Sequence, residues 1–257
     1  MYKKQIDLRK KKKFEISVLF SFYNNQHTIK KSLKSILLQT HKNFEIIICS
    51  DGSTDRSDQI VKGLIQKSDN VLFIKSNKNN GLTKSLNYMM KFTSGDYLAR
   101  HDADDISHRK RLQFQVNFLK INKNINILGS NGIYYIKKKK KFIKMPSNNN
   151  SIKKKMISRN PIIHSSVVIK RKILLQNKYD QNFLRCQDYE LWLRLRRKAR
   201  YHNIQKYLVT RNIDGNRFNY QDLYFTVLAR YKYTGLLNFV LYSIKDLVYF
   251  ILRKIIL

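Results

Sequence analysis

The sequence predicts an α/β fold: an open, mostly parallel sheet flanked by helices, with a helical C-terminal extension. Three observations support this. From Phe14 onward, short apolar runs alternate with segments whose apolar residues recur every three or four positions. Each strand-plus-helix unit takes roughly thirty residues, the length of a parallel strand and its crossover. Past residue 236, a stretch rich in Leu, Ile, Phe and Tyr reads as helix.

Taken in order, residues 16–20 form a buried strand bounded by Asn24 and Asn25. Ile29, Leu33, Ile36 and Leu37 then mark one face of a helix. Residues 44–49 are a second strand, ending at Asp51-Gly52-Ser53, and Cys49 belongs to its core. Ile60, Val61, Leu64 and Ile65 mark a second helix, residues 71–74 a third strand, and Leu82, Leu86, Met89 and Met90 a third helix. Residues 97–100 are the fourth strand. After Arg109 the pattern loosens. Leu112, Val116 and Leu119 suggest a helix, followed by apolar runs at 125–128 and 133–136. Residues 137–141 read as an exposed loop or hairpin, 147–151 as loop, 165–169 as strand and 189–197 as helix.

The fourth strand delivers Asp102-Ala103-Asp104-Asp105 at its end. Three carboxylates within four residues repel one another unless a cation sits among them. A divalent metal held through oxygen ligands would supply it. The alternative is a helix N-terminus, where Asp favours the cap and first turn. Ligands of open parallel sheets bind beyond the carboxyl ends of the strands. Tyr23, Asp51 and Asp102 all fall there, so they are expected to share one crevice.

Composition narrows the partners. Fifty-two basic against 17 acidic residues give a formal charge of +35, which favours anions such as nucleotides or phospholipid surfaces. A general drift towards Lys, Asn and Ile would produce the same excess without any partner. Hydrophobic content of 42% argues against disorder. Two cysteines with no paired spacing fit a reducing compartment, and no secretory signal follows the basic N-terminus, so the expected location is cytoplasmic. Residues 236–257 contain Lys245, Asp246, Arg253 and Lys254, which interrupt a spanning helix. They fit an amphipathic helix at the cytoplasmic face of a membrane, or one packed on the domain.

The order of motifs resembles the family 2 glycosyltransferases of the GT-A (Rossmann-like) fold. The resemblance runs through Val18-Leu19-Phe20-Ser21-Phe22-Tyr23-Asn24, Asp51-Gly52-Ser53-Thr54-Asp55, Asn80-Gly81-Leu82, Gly95-Asp96-Tyr97 and Asp102-Ala103-Asp104-Asp105. It continues more weakly at Asn160-Pro161-Ile162-Ile163-His164 and Gln187-Asp188-Tyr189-Glu190, and ends near Arg197. It implies transfer of a sugar, of the hexosyl or N-acetylhexosaminyl type, from a nucleoside-diphosphate donor such as UDP to a hydroxyl acceptor with inversion. Together with the pattern outside it, the resemblance divides the chain into a basic N-terminal arm (1–13), a nucleotide-sugar-binding half (14–108), an acceptor-binding half (109–217) and a C-terminal helical segment (218–257).

The same resemblance assigns roles. Tyr23 stands near the nucleotide base, and Asp51 accepts from the N–H of that base, unless it only caps the helix beginning near Ser53. Asp55 is read as a cap. Asp102 and Asp104 would hold Mg²⁺ or Mn²⁺ against the donor diphosphate, with Asp105 in support. Lys84 and Arg100 would assist the phosphates, or else be solvated surface. Asp188 takes the position of the general base, with Glu190 as the fallback. His164 would reach the metal or the acceptor, or serve the core. Two departures occur: Gln187 stands where relatives often carry an acid, and the first motif lacks the proline expected at Ser21 or Phe22. A glycan or glycolipid acceptor in cell-surface polysaccharide assembly follows. Two competing readings are a sugar nucleotidyltransferase, which would need a glycine-rich phosphate loop absent after Tyr23, and a basic nucleic-acid-binding protein, for which no module is recognisable.

Overall fold

A computed structural model describes residues 1–10, 13–213 and 220–255. The first half runs β1 (Tyr2–Asp7), β2 (Ile16–Phe22), α1 (Ile29–Leu37), β3 (Phe44–Asp51), α2 (Ser57–Ile65), β4 (Val71–Ser76), α3 (Leu82–Met89) and β5 (Tyr97–Asp102). The second runs β6 (Asp105–Ser107), α4 (Arg111–Ile121), β7 (Ile127–Ile136), β8 (Lys139–Ile143), α5 (Asn149–Met156), β9 (Val168–Lys170), α6 (Arg171–Gln176), α7 (Gln187–Leu195), β10 (Tyr201–Ile213), α8 (Tyr220–Tyr233) and α9 (Leu236–Ile255). The strands form one open sheet in the order β1-β4-β3-β2-β5-β9-β7-β10-β6, with β8 on β7.

Strands β4, β3, β2 and β5 are mutually parallel, and helices cover both faces. Every residue of β2 and β3 is buried, as a doubly covered parallel sheet requires. Alternate residues part to opposite sides. Val18, Phe20, Ile46 and Ile48 meet Ile29, Leu33 and Ile36 of α1 and Val61 of α2. Leu19, Ile47 and Leu72 meet Leu86 and Met89 of α3. The order reverses at β2: β3 and β4 build outward on one side and β5 on the other. That switch point opens the crevice at the carboxyl ends of β2 and β5.

The segment read as a basic arm is instead part of the sheet. Strand β1 pairs antiparallel with β4, and Tyr2 stacks on Tyr88 at 4.3 Å. Arg9 reaches the fully buried Glu45, donating from Nη1 at 3.0 Å. Glu45 also accepts from Ser17 Oγ and from Ser94 N and Oγ, each at 2.7 Å. Charged side chains hid this strand, because an edge strand exposes most of its residues. Arg9→Ala removes the cation but leaves three hydrogen bonds on the carboxylate. Its expected cost is about 2 kcal/mol of unfolding free energy, read from urea melts. An unchanged midpoint would show that Arg9 contributes nothing.

Further differences lie in the second half. The apolar runs read at 125–128 and 133–136 belong to one strand, β7, which begins at Ile127 and joins them through buried Gly129, Ser130, Asn131 and Gly132. A Cβ on Gly129 would lie 2.2 Å from Asn203 Oδ1, so the interruption is a demand of close packing with β10. Residues 137–141 do form a hairpin. Lys137 and Lys138 take φ of 49° and 63° at its turn, the left-handed pair that two-residue hairpins favour. Part of the expected loop at 147–151 is helix α5, capped by Asn148 Oδ1 accepting from Ser151 N at 2.9 Å.

Helix α8 packs against α7, and α9 against α8. No described helix is long and apolar enough to cross a membrane. The boundary expected at 217, residues 11–12 of the arm and residues 256–257 lie outside the described residues.

Candidate active site

The loops after β2 and β3 are laced together at the crevice. Asn24, at φ 51°, donates its N–H to Ser53 Oγ and accepts from Thr54 N through Oδ1. Asp55 accepts from Gln26 N and Ser57 N, both at 2.9 Å, which agrees with a cap-like role. These ties present Tyr23 at the crevice mouth with 44% of its surface exposed.

Asp51 does not cap the helix after Ser53. Its Oδ1 accepts from Asn80 N at 3.1 Å and its Oδ2 from Gly81 N at 2.8 Å. It therefore fixes the loop entering α3, where Gly81 takes φ 88°. Oδ1 also accepts from Asn80 Nδ2 at 3.4 Å, and Oδ2 keeps further acceptor capacity. Tyr23, Asp51, Gly81, Arg100, Asp102 and Asp104 line one cavity of about 350 Å³. The expected convergence on a single crevice is thus seen. Lys84 is exposed on α3 and is not among the lining residues.

The three clustered carboxylates differ. One oxygen from each of Asp102, Asp104 and Asp105 lies within 4.8 Å of the others, a compact hard-oxygen set suited to a divalent cation. Asp102 and Asp104 are half-buried at the crevice, whereas Asp105 is fully buried. Short strand β6 starts at Asp105 and pairs with β10, so the cluster opens no helix and the helix-cap alternative falls.

Arginines already stand among these carboxylates. Arg100 bonds Asp102 and is therefore not solvated surface. Arg211 lies 3.2 Å from Asp105 and 3.9 Å from Asp102. Burial opposes ionisation of Asp102, but Arg100 and then Arg211 outweigh it and hold its carboxyl below the usual range. Burial dominates at Asp105 and pushes its carboxyl up, with Arg211 opposing. Arg211 went unread in the sequence; strand pairing between β6 and β10 brings it in from more than a hundred residues away, and no local motif marks it.

Asp188 sits in a second cavity of about 740 Å³, on the first turn of α7. It is half-buried, and its Oδ2 accepts from Asn160 Nδ2 at 2.7 Å. His164 is buried between the two sites, with its Nε2 2.9 Å from the Tyr179 hydroxyl. Burial lowers its pKa; Asp188 and Asp102 both oppose that shift, so both carboxylates lie within its electrostatic reach. His164 is thus buried, with the Tyr179 hydroxyl as its hydrogen-bond partner.

Glu190 is corrected as a fallback base. It is fully buried, bonded to Arg194 Nε at 2.7 Å and to the Tyr233 hydroxyl at 2.8 Å. Two residues along a helix turn the side chain by about 200°, so Glu190 faces away from the cavity that holds Asp188.

The sequence profile described as "Glycosyl transferase family 2" matches residues 17–190. The chain belongs to glycosyltransferase family 2. This glycosyltransferase is 34% identical over 212 residues to "Uncharacterized glycosyltransferase MJ1057" of Methanocaldococcus jannaschii, covering 80% of this chain and 72% of the relative. It is 30% identical over 190 residues to the Escherichia coli "UDP-Glc:alpha-D-GlcNAc-diphosphoundecaprenol beta-1,3-glucosyltransferase WfgD", covering 69% and 68%. Its fold matches S. aureus TarS 1-349 in complex with UDP, at a TM-score of 0.67 and 17% identity over 87% of this chain and 67% of that 1-349 chain. It also matches the Pyrobaculum calidifontis mannosyltransferase PcManGT in complex with GDP-Man and Mn²⁺, at 0.64 and 15% over 86% and 64%. Those neighbours place the glycosyltransferase in the GT-A fold.

Proposed function

We propose that this glycosyltransferase moves a hexose or N-acetylhexosamine from a nucleoside diphosphate, UDP first among candidates, to a hydroxyl of a glycan or glycolipid, with inversion. The observation that carries this is the crevice shared by Tyr23, Asp51, Asp102 and Asp104, with Asp188 in a second cavity. The named E. coli relative uses UDP-Glc and a diphosphoundecaprenol-linked acceptor, which supports both the donor and a membrane-borne acceptor. The strongly basic balance and the exposed apolar residues of α9 support action at the cytoplasmic face of a membrane.

Roles follow from placement. Tyr23 offers its ring to the base, and Asp51 accepts from the base with its spare lone pairs. Asp102 and Asp104 would hold Mg²⁺ or Mn²⁺, with Asp105 behind them. The ion supplies Lewis-acid stabilisation of the charge that grows on the departing diphosphate. Arg100 and Arg211 keep the Asp102 carboxylate ionised and oriented. Asp188 accepts the proton of the attacking acceptor hydroxyl, and Asn160 fixes its orientation. A nucleotidyltransferase or nucleic-acid-binding role has no comparable support: residues 23–28 carry no glycine, and the family is one of sugar transfer.

UDP with Mn²⁺ is expected to raise the melting temperature by about 5 °C at a hundredfold excess over its dissociation constant. Thermal unfolding with a panel of nucleoside diphosphates checks this. No shift with any of them would remove the donor site.

A further inference from the structure

The cavity that holds Asp188 has an excess of cations that base catalysis does not explain. Helix α5 and the turn after it contribute Lys155 and Arg159, α8 contributes Arg230, and α9 contributes Lys245 and Asp246. Arg230 is committed to the scaffold. It is almost fully buried, pairs with Asp246 at 2.7 Å, and donates to the carbonyls of Ser158 and Tyr242. Lys155, Arg159 and Lys245 are different. Each is exposed or half-exposed, and none makes an ion pair among the described residues. Three cations without an ion pair among the described residues therefore face a cavity whose remaining carboxylate is Asp188. One carboxylate offsets one of these three charges, and the described residues leave the repulsion among the rest uncompensated.

An apolar stripe runs along the helix that contributes Lys245. Helix α9 exposes Leu237, Val240, Leu241, Ile244, Leu247 and Val248, at a spacing of three and four that draws one continuous stripe. Lys245 of this helix lines the cavity and lies about 40° around the helix from Leu241, so the stripe borders the cation.

We infer that this cavity binds a phosphate or diphosphate group carried by the acceptor, between Lys155, Arg159 and Lys245, and so brings the acceptor's sugar hydroxyl to Asp188. The alkyl chain of a lipid-linked acceptor then lies along the α9 stripe. The inference rests on the reading of Asp188 as the acceptor-side base. Three cations spread over two helices and a turn suit the several oxygens of a diphosphate better than a single point charge.

Calorimetric titration of the full chain in metal-free buffer tests it, with octyl diphosphate and inorganic pyrophosphate as probes. Removing metal keeps both from being drawn to the carboxylate cluster. Octyl diphosphate is expected to bind, and the combined variant Lys155→Ala, Arg159→Ala, Lys245→Ala to weaken it at least tenfold. All three positions are at the surface, and an unchanged melting temperature confirms the fold. Tighter binding of octyl diphosphate than of pyrophosphate by tenfold or more supports the lipid-linked source. Equal binding of the two keeps phosphate recognition but overturns the lipid tail. No binding, or binding unaffected by the triple substitution, overturns the inference. The UDP–Mn²⁺ melting shift, measured on the same variant, should stay at the parent value. Loss of that shift in the parent itself would count against the donor site and leave the phosphate pocket untouched.

Discussion

Asp188→Asn is expected to lower turnover about a thousandfold, the middle of the range for a lost general base, with the UDP–Mn²⁺ melting shift unchanged. The substitution is nearly isosteric, and the side-chain oxygen that remains can still accept from Asn160 Nδ2. The fold and the cavity should survive. What disappears is the capacity to take a proton from an acceptor hydroxyl. Following UDP release separates this from a binding defect, because the donor crevice is built from other elements. Glu190→Gln supplies the contrast. That carboxylate is spent on Arg194 and Tyr233 inside the core, so its loss should appear in stability before it appears in rate. Near-normal turnover in Asp188→Asn would leave the acceptor side without a base and remove Asp188 from the chemistry.

The difference between these two acids was not legible in the sequence, and the reason is general to the second half of the chain. In the first half, strands buried on both faces give unbroken apolar runs, and each crossover helix shows its buried stripe. The carboxyl-end rule then placed Tyr23, Asp51 and Asp102 in one crevice. Beyond Arg109 the signals are weaker for identifiable causes. Strand β7 is interrupted because Gly129 must let Asn203 approach. The start of α5 looks like loop because its cap, Asn148, and its first turn are all polar. Strand β10 was not read at all: Gln205 and Lys206 are exposed midway along it, and its register with β7 shifts there. Arg211 therefore arrived unannounced. Strand β1 escaped notice for the opposite reason, since an edge strand studded with Lys resembles a solvated tail.

Arg211 bears directly on the second large effect. Asp104→Ala is expected to abolish both the Mn²⁺ contribution to the UDP melting shift and measurable transfer, while the protein stays folded. About 4 kcal/mol of charge stabilisation on the leaving group corresponds to roughly three orders of magnitude in rate. Asp104 stands half-buried at the crevice, and truncating it leaves Arg211 its two stronger carboxylate partners, Asp105 and Asp102. Asp105→Ala should behave otherwise. Asp105 is fully buried with Arg211 3.2 Å away, and its removal takes from Arg211 the carboxylate that acts on it most strongly, so β6 and β10 lose their electrostatic clasp. Unfolding curves for Asp104→Ala, Asp105→Ala and the parent, with and without UDP–Mn²⁺, separate these roles. Stability should fall in the Asp105 variant and the metal response in the Asp104 variant. If Asp104→Ala retained the full Mn²⁺-dependent shift, the ion would be held by other groups, and the cluster would be an arginine-bound structural knot joining β5 to β10.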